Sequence, residues 1–180
     1  AMHDLPENVI KIANDFGLLK SAVVYGANAS GKSNLIFALQ FMRFFAINSF
    51  RSYQKGEEIG MYSFSLNEAS ITKPSFFEIV FLVDGVIYKY GFELDSKKVN
   101  KEWLYCTQKN EEKPLFIRDG LKFELSDKDF SEGINKKADT RENCLFFFLL
   151  SQLNGPISSK IIYWFMKIRP ISSPRIASVF

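Results

Sequence analysis

The sequence predicts a mixed α/β fold in which a strand, a glycine-containing loop and a helix precede an antiparallel sheet. A valine-rich apolar run comes before the loop, and an apolar helical stripe follows it. From Ser75 the apolar period changes to two, and Asp84 and Gly85 interrupt the alternation as a hairpin turn does. The chain shows no repeating strand-helix-strand array, so an antiparallel meander accounts for its middle part better than a parallel sheet.

Composition limits the number of domains and the kinds of chemistry. The 180 residues suffice for one domain with a core, and we treat residues 1–180 as one lobe of three parts, 1–50, 60–126 and 139–169. A net charge of +3 is too small to indicate a nucleic-acid partner by itself. Two cysteines cannot form a disulfide framework or a complete zinc site, and a single histidine, His3, argues against a Ser-His-Asp triad.

The hydropathy of the chain argues against a membrane partner. Its longest wholly apolar stretch, Cys144 to Leu150, is far shorter than the ~20 residues that cross a bilayer. No basic-then-apolar leader opens the chain, because Pro6 and Glu7 directly follow Leu5. We therefore expect a cytoplasmic protein.

The first part of the chain predicts two strands and a helix. Leu18 to Tyr25 is apolar and lies between Gly17 and Gly26, which indicates a buried strand. Asn34 to about Ile47 is apolar on most sides, as is typical of a helix packed between a sheet and another element. A short strand is expected near Met61 to Leu66.

The middle of the chain predicts four or five antiparallel strands. Their apolar residues are Phe77, Ile79, Phe81 and Val83, then Tyr88, Tyr90 and Phe92, then Val99 to Cys106, Leu115 to Arg118, and Leu121, Phe123 and Leu125. Two Asp-Gly pairs, at 84–85 and 119–120, favour hairpin turns between them.

Two further helices are expected after a charged loop at 126–137. The second helix begins at Asp139, with Glu142 three residues on as a capping box, and ends at Leu153. The third runs from about Ser158 to Ile168. The last ten residues lack a pattern, and we expect the chain to be part of a larger domain.

The spacing of Gly26, Gly31, Lys32 and Ser33 is a full Walker A match, Gly-x-x-x-x-Gly-Lys-Ser. Its glycines let backbone amides surround phosphate oxygens, and the helix that follows adds the positive end of its dipole. Lys32 should bridge the β- and γ-phosphates of ATP, and the Ser33 hydroxyl should ligate Mg²⁺. The competing interpretation is a turn that merely joins a strand to a helix. The predicted nucleotide-binding residues are Gly26, Ala27, Asn28, Ala29, Ser30, Gly31, Lys32, Ser33 and Asn34.

Several look-alike motifs are weaker. Val80 to Asp84 resembles a Walker B strand, but Gly85 stands where a glutamate would follow, so we predict a hairpin turn. The run at 135–139 is one residue too long for the guanine-reading Asn-Lys-x-Asp, and the scattered arginines do not indicate a kinase lid. We expect the residues that polarise water to lie on polypeptide beyond Phe180.

The run from Leu18 to Leu35, with its Gly-x-Asn-x-x-Gly-Lys-Ser-Asn form, resembles the AAA/ABC-type ATP-binding proteins of prokaryotes. Many of these are linked to abortive infection or phage defence and are related to OLD and SMC-like ATPase heads. Less sharply, the resemblance continues through Phe76 to Ile79, Tyr88 to Phe92, Glu102 to Leu104, Leu115 to Arg118 and Phe148 to Asn154. It implies a P-loop NTPase fold, here an incomplete ABC-ATPase-like N-terminal lobe with an antiparallel β-subdomain.

The same resemblance implies a glutamine that contacts Mg²⁺ and the attacking water after the β-subdomain. Gln152 is the candidate for this catalytic and metal-binding role, and Gln108 is a second one. For Gln152 the alternative is an exposed polar residue at a helix end. Glu102 and Arg118 are expected on the solvent face of their strands, with a functional role left open.

Two function classes follow from these observations. The first is an ATP-binding head whose partner is a second copy or the C-terminal half of the same ATPase, because such heads hydrolyse ATP when two sandwich the nucleotide. The second is a non-enzymatic P-loop-fold module that binds a partner protein through its β-subdomain. It requires several of the nineteen phenylalanines to be exposed in one patch. A nucleic-acid partner stays open.

Overall fold

The computed structural model describes residues 6–13, 16–28, 30–59, 73–108 and 111–170. The strands and α-helices, in chain order, are β1 Val9–Ala13, β2 Phe16–Leu19, α1 Lys32–Ser52, β3 Ser75–Val83, β4 Val86–Leu94, β5 Val99–Gln108, β6 Glu111–Asp119, β7 Lys122–Leu125, α2 Phe146–Gln152 and α3 Pro156–Lys167. The strand predicted at Met61 to Leu66 lies outside the described residues, as does His3. Within the described ranges, no helix is both long and apolar enough to traverse a membrane.

The predicted antiparallel meander is confirmed. Strands β3 to β7 form one five-stranded sheet in chain order, and every neighbouring pair is antiparallel. Asp84 and Gly85 turn the chain between β3 and β4 with φ values of 50° and 79°, which a type I′ hairpin turn requires. Asp84 is therefore a turn residue, as the hairpin interpretation of the Walker B look-alike predicts. Its carboxylate also pairs with Lys160 at 3.0 Å.

Three helices contribute apolar side chains to a core on one face of this sheet. Phe41 of α1 packs on Phe77 of β3 with ring centroids 5.1 Å apart. Trp164 of α3 stacks on Phe81 at 4.1 Å. The first five residues of α2 are all buried. Aromatic contacts of this kind contribute both buried area and about 0.5–1.5 kcal/mol per pair, so the aromatic residues hold the helices on the sheet.

The strand predicted at Leu18 to Tyr25 is wrong over most of its length. Its first two residues belong to β2, which forms a two-stranded antiparallel sheet with β1. Residues 21–25 form no strand, and the three apolar side chains Val23, Val24 and Tyr25 are 72, 62 and 88% exposed. A β-branched run favours a strand only where a neighbour satisfies its backbone, and no strand among the described residues pairs with this segment.

The three predicted helices are all present in the described part of the chain, but their bounds agree unevenly with the predictions. Helix α1 is confirmed and extends to Ser52. Helix α3 is confirmed and begins at Pro156, two residues before the predicted start. The helix expected from Asp139 begins instead at Phe146, because residues 137–139 form only a 3-10 turn.

The capping box predicted for α2 is absent from the structure. The side chain of Glu102 on β5 caps the helix instead, because its carboxylate accepts the N–H groups of Phe146 and Phe147 at 2.8 and 3.1 Å.

Candidate functional site

The candidate site is the loop that leads from residue 26 into α1. Gly31 has a φ of 89° and is the N-cap of the helix, a backbone conformation that favours glycine. A Cβ placed on Gly26 would lie 2.7 Å from Ser30 Oγ, the end of an exposed side chain that can rotate away, so the structure requires glycine less strictly at Gly26 than at Gly31. Ala29, one of the predicted binding residues, lies outside the described residues. Local backbone geometry thus explains the second glycine of the motif, Gly31.

The Lys32 side chain folds back over this loop. Its Nζ donates to the carbonyl oxygens of Gly26 and Ala27 at 2.7 and 2.6 Å, and to Ser30 Oγ at 3.2 Å. These three contacts use the three donors of the ammonium. Phosphate oxygens are stronger acceptors than neutral carbonyls, because the hydrogen bond then joins two charges. An anion that enters the loop would therefore meet an ammonium already in place.

The first turn of α1 supplies further donors at the same point. The N–H groups of Lys32, Ser33 and Asn34 precede the first helical bond, which Leu35 N makes to Gly31 O at 3.3 Å. That turn contains no acidic side chain to satisfy the positive end of the helix dipole. Ser33 itself is exposed, so its hydroxyl is accessible from solvent at this turn. The arrangement has the chemistry of an anion site.

The loop can also contribute an oxygen ligand to Mg²⁺. The described residues contain no group of three His, Cys, Asp or Glu that could hold a metal ion by itself. Mg²⁺ differs from metals that need such a cage, because it keeps several waters and binds through one or two protein oxygens together with phosphates. Ser33 can provide one such oxygen, so the site fits a metal that arrives with a nucleotide.

Gln152 lies at the opposite end of α1 from this loop. Its Oε1 accepts a hydrogen bond from Arg51 Nη2 at 3.0 Å. Arg51 follows Ser33 by eighteen residues, which at 1.5 Å per residue is about 27 Å along the helix. The structure therefore does not bring Gln152 to Ser33. Within one molecule, Gln152 cannot have the catalytic and Mg²⁺-binding role at this loop that the resemblance implied. Gln108 is an exposed residue at the end of β5.

Glu102 and Arg118, expected on the solvent face, are both fully buried. Arg118 Nη1 lies 3.4 Å from Glu102 Oε2. The sequence contained a signal for this: Glu102 shares its strand face with Leu104 and Cys106, which are apolar and buried. The solvent-face expectation is therefore wrong, because the helices cover the face on which these side chains stand.

The buried pair is satisfied by donors and acceptors from several elements. Besides two backbone N–H groups of α2, Glu102 accepts the hydroxyl of Tyr90 at 3.0 Å. Arg118 donates to the carbonyls of Gly120 and Cys144, both at 2.7 Å. Burial raises the pKa of Glu102, and the charge of Arg118 and these hydrogen bonds act against that shift. The cluster joins the sheet to the start of α2, so its place in the fold is structural.

Comparison with known proteins adds one finding. Residues 21–162 match the family model described as "AAA domain, putative AbiEii toxin, Type IV TA system". Neither the curated proteins nor the solved structures gave a significant match. The matched range contains α1, the five-stranded sheet, α2 and the first part of α3. Since it spans well over half of the chain, the chain belongs to this family of AAA-type ATPase domains linked to abortive infection.

Proposed function

We propose that this chain binds the phosphate tail of ATP, together with Mg²⁺, at residues 26–34. The observation that carries the proposal is the Lys32 ammonium, held over a glycine-bounded loop at the open N-terminus of α1. Membership of the family supports a nucleotide-binding, ATPase-like function in general terms. ATP is favoured over GTP because the sequence lacks a correctly spaced guanine-reading motif.

In this proposal each residue has a separate task. Amides of the loop and of the first helical turn bind phosphate oxygens. Lys32 exchanges its carbonyl partners for the β- and γ-phosphates, and the Ser33 hydroxyl joins phosphate oxygens and water around Mg²⁺. The metal neutralises phosphate charge when it is bound. The loop residues include no carboxylate that could act as a general base, so binding alone is within their chemistry.

We further propose that hydrolysis requires residues from another polypeptide segment, supplied by a second copy or by another part of the same ATPase. The exposed apolar segment at 21–25 supports this, because its composition is that of a buried strand and it lies directly before the loop. A strand that paired there would bury Val23 and Val24 and come next to the phosphates. We expect negligible ATP turnover by this chain alone. A role in phage defence belongs to the same proposal, through the family's link to abortive infection.

Calorimetric titration with Mg²⁺-ATP tests the binding step. Lys32→Ala should weaken binding at least tenfold, about 1.4 kcal/mol, because the phosphates lose their positioned cation. Lys20→Ala is the matched control, since it removes an equal charge from an exposed residue just before the loop. AMP, which lacks the β- and γ-phosphates, should bind far more weakly than ATP. Equal losses in the two lysine variants would refute the assignment of Lys32.

The competing function, a module that holds a partner through exposed phenylalanines, finds little support in the structure. Among the phenylalanines whose burial is described, only Phe44 and Phe76 are exposed, and they lie on α1 and β3 respectively. They do not form the patch of several rings that this function needs. Failure of the unmodified chain to bind ATP would nevertheless favour it.

A further inference from the structure

Strand β3 is an edge of the five-stranded sheet, and its features favour pairing with another strand. On one side it pairs with β4 over nine residues without a bulge, and on its other side no strand among the described residues pairs with it. Edge strands usually resist further pairing through lysines, prolines, bulges or short length. The nine residues of β3 include no Lys, Arg, Pro or Gly. Lys73 and Pro74 directly precede the strand, so the protecting residue types lie outside the nine residues that could pair.

The opposite edge of the same sheet carries the usual protection. Strand β7 has four residues and includes Lys122 and Glu124. Because β7 pairs only with residues 116–119 of β6, the first residues of β6 form the rest of this edge. They are three charged residues at 111–113 and Pro114, which has no N–H to offer a partner strand. The two edges therefore differ in kind, and among the strands that the structure describes β3 is the one with an unprotected edge.

The solvent-facing side of β3 is apolar. Phe76 and Val80 are 59 and 49% exposed on the face away from the helices. The single acidic residue of the strand, Glu78, accepts a hydrogen bond from Trp103 Nε1 at 2.9 Å. A strand placed alongside would cover apolar side chains without leaving this carboxylate unpaired.

We propose that β3 pairs antiparallel with β3 of a second copy of this chain, about a twofold axis at Ile79. Val83 and Val86 flank a two-residue turn, so the odd-numbered residues of β3 bond to β4. The free N–H and C=O groups then belong to Phe76, Glu78, Val80 and Leu82. An axis at Ile79 sets Phe76 opposite Leu82 and Glu78 opposite Val80, and it satisfies all of these groups in both copies.

Charge selects this register over its neighbours. Moving the axis to Glu78 sets two glutamates directly opposite each other, which destabilises a strand pair. Moving it to Val80 sets Phe76 opposite the turn residue Asp84. With the axis at Ile79, Lys73 of one copy lies next to Asp84 of the other at both ends of the strand pair, and both side chains are exposed. Asp84 already pairs with Lys160 of its own chain, so Lys73 would add a second cation beside that carboxylate. The strand is thus self-complementary in hydrogen bonds, apolar surface and charge.

Sedimentation velocity of the whole chain without nucleotide tests this inference. The apparent mass should rise from 20.7 kDa towards twice that value with increasing concentration. Val80→Pro removes an N–H that points to the free edge and not to β4, and should raise the dissociation constant at least tenfold. Val80→Thr keeps the N–H and the branched shape, so it should dimerise like the unmodified chain. Lys32→Ala should also dimerise, which separates this interface from any that nucleotide drives.

Cross-linking tests the register even if Val80→Pro fails to fold. In the proposed pair, the two Ile79 residues face each other at a non-hydrogen-bonded position with Cα atoms about 4.5 Å apart, within disulfide range. Ile79→Cys should therefore form a covalent dimer on mild oxidation, whereas Val80→Cys, which faces Glu78, should not. Cys106 and Cys144 are buried and should not compete. A chain that stays monomeric at all concentrations, or equal cross-linking of the two variants, would overturn the inference.

Discussion

Replacing Glu102 with glutamine should destabilise the fold far more than the small change in shape suggests. Both carboxylate oxygens accept backbone N–H groups, Oε2 from Phe146 and Oε1 from Phe147. An amide has only one acceptor oxygen, so its NH₂ group must face one of these donors. The substitution also leaves Arg118, which is fully buried, without its counter-charge.

The size of the effect follows from these two losses. Removing one partner of a buried ion pair costs about 3–5 kcal/mol, and an unsatisfied buried donor costs about 1–3 kcal/mol. Arg118 keeps its bonds to the carbonyls of Gly120 and Cys144, so part of its environment survives. We therefore expect the lower end of both ranges, about 4 kcal/mol in total. That is a large share of the ~5–15 kcal/mol by which domains are stable, and it corresponds to a fall in Tm of roughly 8–16 °C.

Guanidinium unfolding followed by circular dichroism measures this change, and Glu132→Gln is its matched control. Glu132 also caps a helix, accepting the N–H groups of Ile157 and Ser158 at 2.8 and 3.0 Å. It is partly exposed, and within the described part of the chain no arginine pairs with it. Loss of a cap alone costs about 0.5–2 kcal/mol. If Glu102→Gln lowers the free energy of unfolding no more than Glu132→Gln does, the buried charge does not account for the contribution of Glu102 to stability.

Three further predictions use other parts of the structure. Burial raises the pKa of Tyr90 well above its usual value. The unfolded tyrosine ionises near pH ~10, whereas the folded one keeps its proton, so the contribution of Tyr90 to the free energy of unfolding is complete below that pH and falls above it. Tyr90→Phe should reduce that loss, measured by unfolding at several alkaline pH values, by about 1.4 kcal/mol per pH unit; parallel profiles would contradict this. Gly91→Ala should cost about 1–3 kcal/mol in thermal unfolding, because its Cβ would lie 2.6 Å from Trp103 Cε2 and 2.7 Å from Phe77 O; an unchanged Tm would show that the sheet adjusts. Gln152→Ala should leave ATP affinity unchanged, and a tenfold loss in titration would return Gln152 to the site.

The sheet could be predicted strand by strand because its determinants are local. Asp84 and Gly85 both adopt positive φ, and this turn chemistry can be recognised from two adjacent residues. Alternation then specifies which side chains face the core. The candidate site was predictable for the same reason, since the spacing of Gly26, Gly31 and Lys32 is a property of one short segment.

The errors fall where the determinant is distant. The start of α2 depends on a carboxylate forty-four residues earlier in the chain, Glu102, which no local capping pattern reveals. The segment at 21–25 has the composition of a buried strand, but burial depends on partners that the residues themselves do not contain. Gln152 was assigned from its position in the chain, whereas its distance from Ser33 depends on the length and direction of α1.

The C-terminal end of α1 is tied to the segment that leads into α2, and this limits how a ligand at its other end could act. Arg141 Nη2 donates to Phe50 O at 2.6 Å, and Leu145 N donates to Ser49 Oγ at 3.2 Å. The same segment, residues 141–145, supplies carbonyls to Arg118 and leads directly into α2, so the end of α1, the buried ion pair and α2 share one set of contacts. A helix of twenty-one residues, about 30 Å long, that is fixed at this end cannot easily slide along its axis. Binding at the loop should therefore be accommodated by Lys32 and the residues before it, which are exposed.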